Sequence, residues 1–328
     1  MEWQSHFQSA FFETWRSAGL PHHDNFLSAY YTMLEQRDKK IEWIENSSGI
    51  DHNRLYDVYG FGVTVGKVFG VMFGLTVEQT TLTADWCGRF NLGISLFDYI
   101  SDEQDGAKNI TSLKVFQSFS KANHSDNRTL TSSEELLSYL AITILNDVKK
   151  STCKDSLLKA MQQMFEAEDF ISTTKLSANA DLDKINKALY LKSAEPFRVM
   201  AEYTVAMKAA TDSLVLTNAR AIGKAIGSCY WMIDDAKDVW IDLEAGHWNL
   251  FLYTAAEEDA DIFTQQATGT DTKNRLLSIW ERSGHAQNIS DQMITRLVDA
   301  VSSMELSEQV KNHTLGIVSA SLWQWYHS

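Results

Sequence analysis

The chain has 328 residues, 44% of them hydrophobic, and sets 29 basic against 43 acidic side chains for a formal net charge of −14. That length supports a large buried core, and the acidic balance argues against nucleic acid or an anionic membrane surface as the main partner. An anionic ligand is still compatible with it, because metal ions can bridge carboxylates to phosphate. Two prolines in the whole chain, Pro21 and Pro196, predict long and lightly interrupted helices.

Trp3, Phe7, Phe11 and Trp15 recur at every fourth residue, one face of a first helix, which Gly19-Leu20-Pro21 ends. His22-His23 falls in the turn that follows and reads as solvated. Asp24 or Asn25 caps a second helix running to about Glu45, with Phe26, Tyr30, Met33 and Leu34 on its apolar side. After the loop Asn46-Ser47-Ser48-Gly49, a buried helix covers about residues 53–73. The region from Tyr59 to Leu75 is apolar but contains Lys67 and is short for a membrane span. Gly60, Gly62, Gly66 and Gly70 in it suit close helix packing; a phosphate-cradling loop would need a preceding strand and a GK[ST] end, and neither is present.

Thr76 opens a long helix to about Glu103, and polar segments follow it. Ser132 or Ser133 caps a helix through Leu136, Leu140 and Ile144 to Lys150. Further helices cover about residues 154–175, 182–207 with a kink near Pro196, and 211–243. Three or four amphipathic helices follow Asn249. The pattern predicts one all-α domain over residues 1–328. Cys87, Cys153 and Cys229 are far apart and form neither a metal motif nor a disulfide framework; Cys87 and Cys229 read as buried apolar residues. Residues 1–10 lack a signal-peptide pattern, so a reduced cytoplasm is the expected location.

Two acidic stretches carry the chemistry. In Leu96-Phe97-Asp98-Tyr99-Ile100-Ser101-Asp102-Glu103, Asp98 and Asp102 are four apart and share a helix face. In Trp231-Met232-Ile233-Asp234-Asp235-Ala236-Lys237-Asp238-Val239-Trp240-Ile241-Asp242, the acids Asp234, Asp238 and Asp242 repeat that spacing among aromatic and aliphatic neighbours. Carboxylates in such company are costly unless cations neutralise them. Either cluster alone could be a solvated acidic face. Together they suit magnesium, which takes oxygen ligands and fills its shell with water and phosphate. Glu244-Ala245-Gly246-His247 is a lone ExxH match without a second copy, so a di-metal oxygen-activating centre is excluded.

This layout resembles the class I isoprenoid synthase superfamily, which holds polyprenyl diphosphate synthases and terpene synthases. That superfamily carries two aspartate-rich motifs on facing helices; here Asp98 and Asp234 are 136 residues apart (234 − 98 = 136). The first stretch is similar to DDxxD with Tyr99 in place of the second aspartate. The second is similar to DDxxD, and Gly246, Trp248 and Asn249 resemble its GxxN continuation. Lys192-Ser193, 42 residues ahead of Asp234 (234 − 192 = 42), resembles the diphosphate-binding KT pair. Glu166-Ala167-Glu168-Asp169-Phe170 is similar to the GQxxDL motif. The chain departs from the elongating synthases after Glu103, where no arginine pair follows, and before the second motif, where Tyr230-Trp231 replaces FQ. Trp248 stands where the family has a later lysine, and near the expected N-terminal element there is only Asn53-Arg54-Leu55.

The resemblance implies an all-α helical bundle around a central cavity. It implies Mg2+ as cofactor, three ions with diphosphate bound, on Asp98, Asp102, Asp234, Asp238 and Asp242. Lys192 would bind the diphosphate, with Arg198 and Lys237 as weaker contacts. Phe90, Phe97, Tyr99, Phe197, Tyr230 and Trp231 would line the prenyl pocket and face a carbocation, and Gly93 and Ile94 would set its depth. The departures favour a terpene synthase that ionises an allylic prenyl diphosphate of ten to twenty carbons and cyclises or quenches the cation. The alternatives are a prenyltransferase that passes the cation to an acceptor and a silent prenyl-diphosphate-binding relative. Homodimers occur in the superfamily, so one is allowed here.

Overall fold

The computed structural model describes residues 3–35, 41–45, 51–103, 133–208, 212–263 and 269–327. Among them the regular structure is helical throughout and contains no strand, as the periodicity predicts. In chain order the elements are α1 (Trp3–Ser17), a 3-10 turn (His23–Asn25), α2 (Leu27–Glu35), α3 (Glu42–Glu45), α4 (His52–Met72), α5 (Val77–Glu103), α6 (Ser133–Lys150) and α7 (Lys154–Thr173). They continue with α8 (Leu182–Ser193), α9 (Glu195–Ala206), α10 (Ser213–Ala245), α11 (Leu250–Glu258), α12 (Gly269–Arg282), α13 (His285–Ser302) and α14 (Glu308–His327). The chain groups into two compact units: Met1–Phe26 with Ala167–Phe197 and Ala221–Ser328, and Leu27–Glu166 with Arg198–Arg220.

In the second unit the α4–α5 hairpin is the frame. A Cβ on Gly62 would lie 2.5 Å from the Cys87 carbonyl, and one on Gly66 would lie 2.7 Å from the Ala84 Cα. The glycines are therefore there for close helix packing, not for phosphate. The hairpin turns at Gly74, at a φ of +65° that suits glycine. Thr76 and Gln79 then cap α5 reciprocally: the Gln79 amide donates to Thr76 Oγ1 at 3.2 Å and the Thr76 amide to Gln79 Oε1 at 3.1 Å. Arg89 ties α5 to α6 through Asp147 at 2.9 Å, and Trp86 stacks on Tyr203 at 3.8 Å.

In the first unit the predicted aromatic stripe of α1 is wholly buried. Trp3 packs on Trp280 at 4.3 Å, and both Trp3 and Phe7 meet Phe251 edge-on. Cys87 and Cys229 are buried, and burial pushes each thiol up to about 12, which makes both inert at neutral pH.

Three expectations change. The single helix from Asp24 to Glu45 is not formed; the chain is non-helical at Ile41, whose amide donates to the Tyr56 hydroxyl at 2.9 Å. The kink near Pro196 is a full break between α8 and α9, since proline has no amide hydrogen for the carbonyl four residues back. And His23 is not solvated: it is 5% exposed.

Candidate metal centre and apolar hollow

The acidic stripe lies on α10, in the first unit. Met232, Ile233, Ala236 and Val239 are buried, and that apolar face leaves Asp234, Asp235, Asp238 and Asp242 half-buried on the other side. Each carboxylate has different partners. Asp234 Oδ1 accepts from the Trp325 indole at 2.9 Å. Asp235 Oδ2 accepts from the Trp231 indole at 2.7 Å and from the Leu250 amide at 2.5 Å, at the N-terminus of α11 where a negative group is favoured. Asp242 Oδ2 accepts from Asn249 Nδ2 at 2.9 Å. Among the described residues, Asp238 accepts no hydrogen bond.

Asn249 explains the GxxN continuation. Its Oδ1 caps α11 through the Leu252 amide at 3.0 Å, while its Nδ2 holds Asp242. Gly246, at a φ of +71°, ends α10. There the His247 amide reaches the Asp242 carbonyl at 2.8 Å and the Gly246 amide reaches Leu243 at 3.2 Å, a Schellman ending. The end of the stripe and the start of α11 are thus one hydrogen-bonded unit.

Burial pushes all four carboxyls above the usual carboxylate range, Asp242 up to about 6. Neighbouring like charges add to the rise at Asp234, Asp235 and Asp242. Two cations oppose the effect: Lys192 favours ionised Asp234 and Asp242, and Lys237 favours ionised Asp234 and Asp238. Lys192 ends α8 and pairs with the buried Glu168 at 3.0 Å. Lys237 Nζ donates to the Trp325 carbonyl at 3.5 Å. Gly227 lets α10 press against the α8–α9 break beside Lys192, because a Cβ there would stand 2.4 Å from the Ala194 carbonyl. An all-oxygen donor set whose charge is poorly solvated fits a hard divalent cation.

The second unit holds a small apolar hollow of about 30 Å³. Phe90, Gly93, Ile94 and Phe97 of α5 line it, facing Leu137, Ala141, Ile144 and Leu145 of α6 and Met161 and Phe165 of α7. Phe97 and Phe165 meet edge-on at 5.0 Å. Gly93 enlarges the hollow: a Cβ there would lie 3.6 Å from Ile144 Cδ1, ordinary contact distance.

The remaining predicted residues are placed as follows. Phe197 stacks on Tyr230 at 4.9 Å, and Tyr230 stands edge-on to Trp325 at 6.3 Å. Trp231 meets Tyr190 edge-on at 6.2 Å. The helix α5 runs through Asp98, Tyr99 and Asp102, so the four-residue spacing is helical, but their side chains lie outside the described residues. Arg198, expected as a weaker diphosphate contact, is instead 5% exposed and ion-paired with Glu202, which also binds Arg220 at 2.6 Å. Three contributors had escaped sequence reasoning: Trp325, Glu168 as the partner of Lys192, and Asn249 as the clamp on Asp242. Asn249 had a signal in the GxxN-like continuation and Glu168 in the GQxxDL-like stretch; Trp325 had none.

The chain resembles several solved structures over nearly its full length. A geranylgeranyl pyrophosphate synthase from Lactobacillus brevis has a TM-score of 0.58 at 17% identity, covering 92% of this chain and 96% of that one. One from the archaeon Geoglobus acetivorans has a TM-score of 0.62 at 10% identity, covering 92% and 100%. The fold is that of a class I isoprenoid synthase. A Caulobacter crescentus polyprenyl synthase, solved with calcium and isoprenyl diphosphate, has a TM-score of 0.56 at 13% identity, covering 96% of each chain. No family model matches the sequence, and no curated protein matches it. Among the described residues no helix is long and apolar enough to cross a membrane.

Proposed function

We propose that this protein is a prenyltransferase that ionises an allylic prenyl diphosphate with Mg2+ and passes the prenyl group to an acceptor. The observation that carries this reading is the α10 stripe: Asp234, Asp238 and Asp242 held together in poorly solvated surroundings, with Lys192 and Lys237 in electrostatic reach. The fold shared with prenyl diphosphate synthases supports transfer over the cyclisation that the sequence had favoured.

In this reading Asp234, Asp238 and Asp242 would hold Mg2+, and Asp98 and Asp102, whose side chains lie outside the described residues, would be the further ligands that the resemblance implies. Bound Mg2+ supplies Lewis acidity to the leaving diphosphate. Trp325 and Asn249 fix the orientations of Asp234 and Asp242, so the ligand set is preorganised. Lys192 adds a charge-assisted hydrogen bond to the diphosphate. The allylic C–O bond breaks and its electron pair leaves with the diphosphate.

A second reading, a cyclase that needs no acceptor, keeps one specific support. Trp231 and Trp248 stand where chain-elongating relatives carry polar or basic groups, and both indoles are committed to the protein, Trp231 to Asp235 and Trp248 to the Lys175 carbonyl at 3.1 Å. One experiment separates the readings. Purified protein with Mg2+ is given geranyl, farnesyl and geranylgeranyl diphosphates, each with and without isopentenyl diphosphate or an aromatic acceptor. Acceptor-dependent diphosphate release supports transfer, and hydrocarbon or terpene alcohol without acceptor supports the cyclase. No release under any condition would overturn both.

A further inference from the structure

A cleft of about 530 Å³ opens in the first unit, a volume suited to a small organic molecule. One face each of α8, α11 and α13 lines it, together with Trp231 of α10. It is distinct from the proposed diphosphate contact. Tyr190 of α8 lines the cleft, and Lys192 stands two residues on, about 200° further round that helix. We propose that this cleft binds a small organic ammonium ion that carries an apolar body.

The walls suit such a cation. Tyr190 and Trp231 meet at 6.2 Å with ring planes 74° apart, so the two rings form a corner. Tyr253 of α11 is a third, buried ring in the same cleft. Aromatic faces set at angles to one another attract an ammonium group, the quaternary kind above all. Leu250, Ile289 and Met293 are buried apolar residues of the cleft, and they would take the ligand's body. Methionine adapts its shape to such a body.

The charges point the same way. Burial pushes the Tyr253 hydroxyl above the usual phenol range, and Glu257, then Asp183, add to the rise. An acid of α11 and an acid of α8 therefore both act on the buried ring, and an ammonium placed there would be countered from two sides. Lys187 and Arg296 also reach the cleft. Both are exposed, and their long stems let the charged ends turn out to water. The net charge of −14 favours the approach of a cation over that of an anion. The cleft also borders the junction of α10 and α11. Trp231 and Leu250, which both line it, donate to Asp235 at 2.7 and 2.5 Å. A bound ligand would brace that junction, and binding to the folded state alone raises Tm.

The test is calorimetric titration of phenethyltrimethylammonium into the full chain, beside 3-phenylpropanol as neutral and 3-phenylpropionate as anionic analogue. Excess Mg2+ and inorganic diphosphate keep the probe off the acidic stripe. The ammonium should bind at one saturable site, about tenfold or more tightly than either analogue, and should raise Tm. Glu257→Gln, Asp183→Asn and Tyr190→Leu should each weaken it by about threefold or more, whereas Asp238→Asn should leave it unchanged. Asp183 and Glu257 are exposed, so those two variants should match wild-type circular dichroism. Lack of saturable ammonium binding, equal or tighter binding of the anion, or undiminished binding in Glu257→Gln and Asp183→Asn would overturn the assignment. Loss of binding in Asp238→Asn would also overturn it, by moving the cation to the stripe.

Discussion

Four aspartates lie on one stretch of α10, and the proposed function divides them into one structural acid and three metal ligands. Asp235 accepts two hydrogen bonds, from the Trp231 indole at 2.7 Å and the Leu250 amide at 2.5 Å, and so joins α10 to the start of α11. Truncation by Asp235→Ala orphans both donors. A buried donor left unsatisfied costs about 1–3 kcal/mol, so the variant should lose about 2–4 kcal/mol, less whatever is regained by removing a poorly solvated carboxyl. For a chain of this size that corresponds to a fall in Tm of about 3–6 °C. Asp235→Asn keeps a carbonyl oxygen in place to accept from both the Trp231 indole and the Leu250 amide, so it should recover most of the loss. Asp238→Ala should behave in the opposite way. It removes a side chain with no hydrogen-bond partner among the described residues and relieves charge repulsion, so stability should hold to about ±0.5 kcal/mol while Mg2+-dependent turnover falls. Urea denaturation followed by circular dichroism, paired with diphosphate-release assays, reads both effects. If Asp238→Ala destabilises as much as Asp235→Ala, or if Asp235→Asn is no better than Asp235→Ala, the division of roles is wrong.

Gly93→Ala should be tolerated to about 0.5 kcal/mol in urea denaturation, because the new Cβ meets Ile144 at 3.6 Å, whereas Gly93→Phe overfills the small hollow and should destabilise by about 1–3 kcal/mol. Glu202 is fully buried between Arg198 and Arg220, so Glu202→Ala should cost about 3–5 kcal/mol in urea denaturation, while a surface substitution such as Glu308→Ala should not. His285 is buried against the Thr254 hydroxyl, with Glu258 at 3.9 Å and Phe251 edge-on, and desolvation lowers it to about 4. The unfolded chain takes up this proton below about pH 6.5 and the folded chain does not. Its contribution is therefore complete above that pH and fades as pH falls towards 4, by about 3 kcal/mol in all, and His285→Gln should flatten the profile of Tm against pH over that window.

The helical periods of α1, α4, α5 and α10 were legible because each has an apolar face that must be buried, and burial leaves a repeat in the sequence. The stripe was legible for the complementary reason: acids spaced by four inside that repeat break the rule that buried faces are apolar. Phe90, Gly93, Ile94 and Phe97 were singled out because they stand just ahead of or within the first acidic stretch, and they line one small hollow together. Arg198 was misread because a charge near Pro196 and Lys192 looks available in one dimension. Its partner Glu202 sits one turn on and is fully buried, which no spacing reveals. Trp325 was not foreseen as a partner of Asp234 because nothing local couples residues so far apart in the chain; that contact is set by where α14 packs.

The partners of the stripe make a physical point that bears on the proposed chemistry. Three carboxylates facing a metal are a liability for the folded protein alone, since burial and mutual repulsion raise Asp234 and Asp242 together. A fold under selection for stability alone would place aliphatic residues there. Instead the neighbouring structure fixes two of the three: Trp325 holds Asp234, Asn249 holds Asp242, and the Schellman turn at Gly246 sets the step from α10 to α11. Positioning that costs folding free energy is expected where it lowers the reorganisation needed during reaction. Mg2+ with inorganic diphosphate should therefore raise Tm in the wild type, an effect measurable without turnover. The rise, measured from each protein's own ligand-free Tm, should shrink in Asn249→Ala, which keeps every proposed ligand and removes the group that both aims Asp242 and caps α11. An undiminished shift in that variant would mean that the ligands find the ion without help from α11.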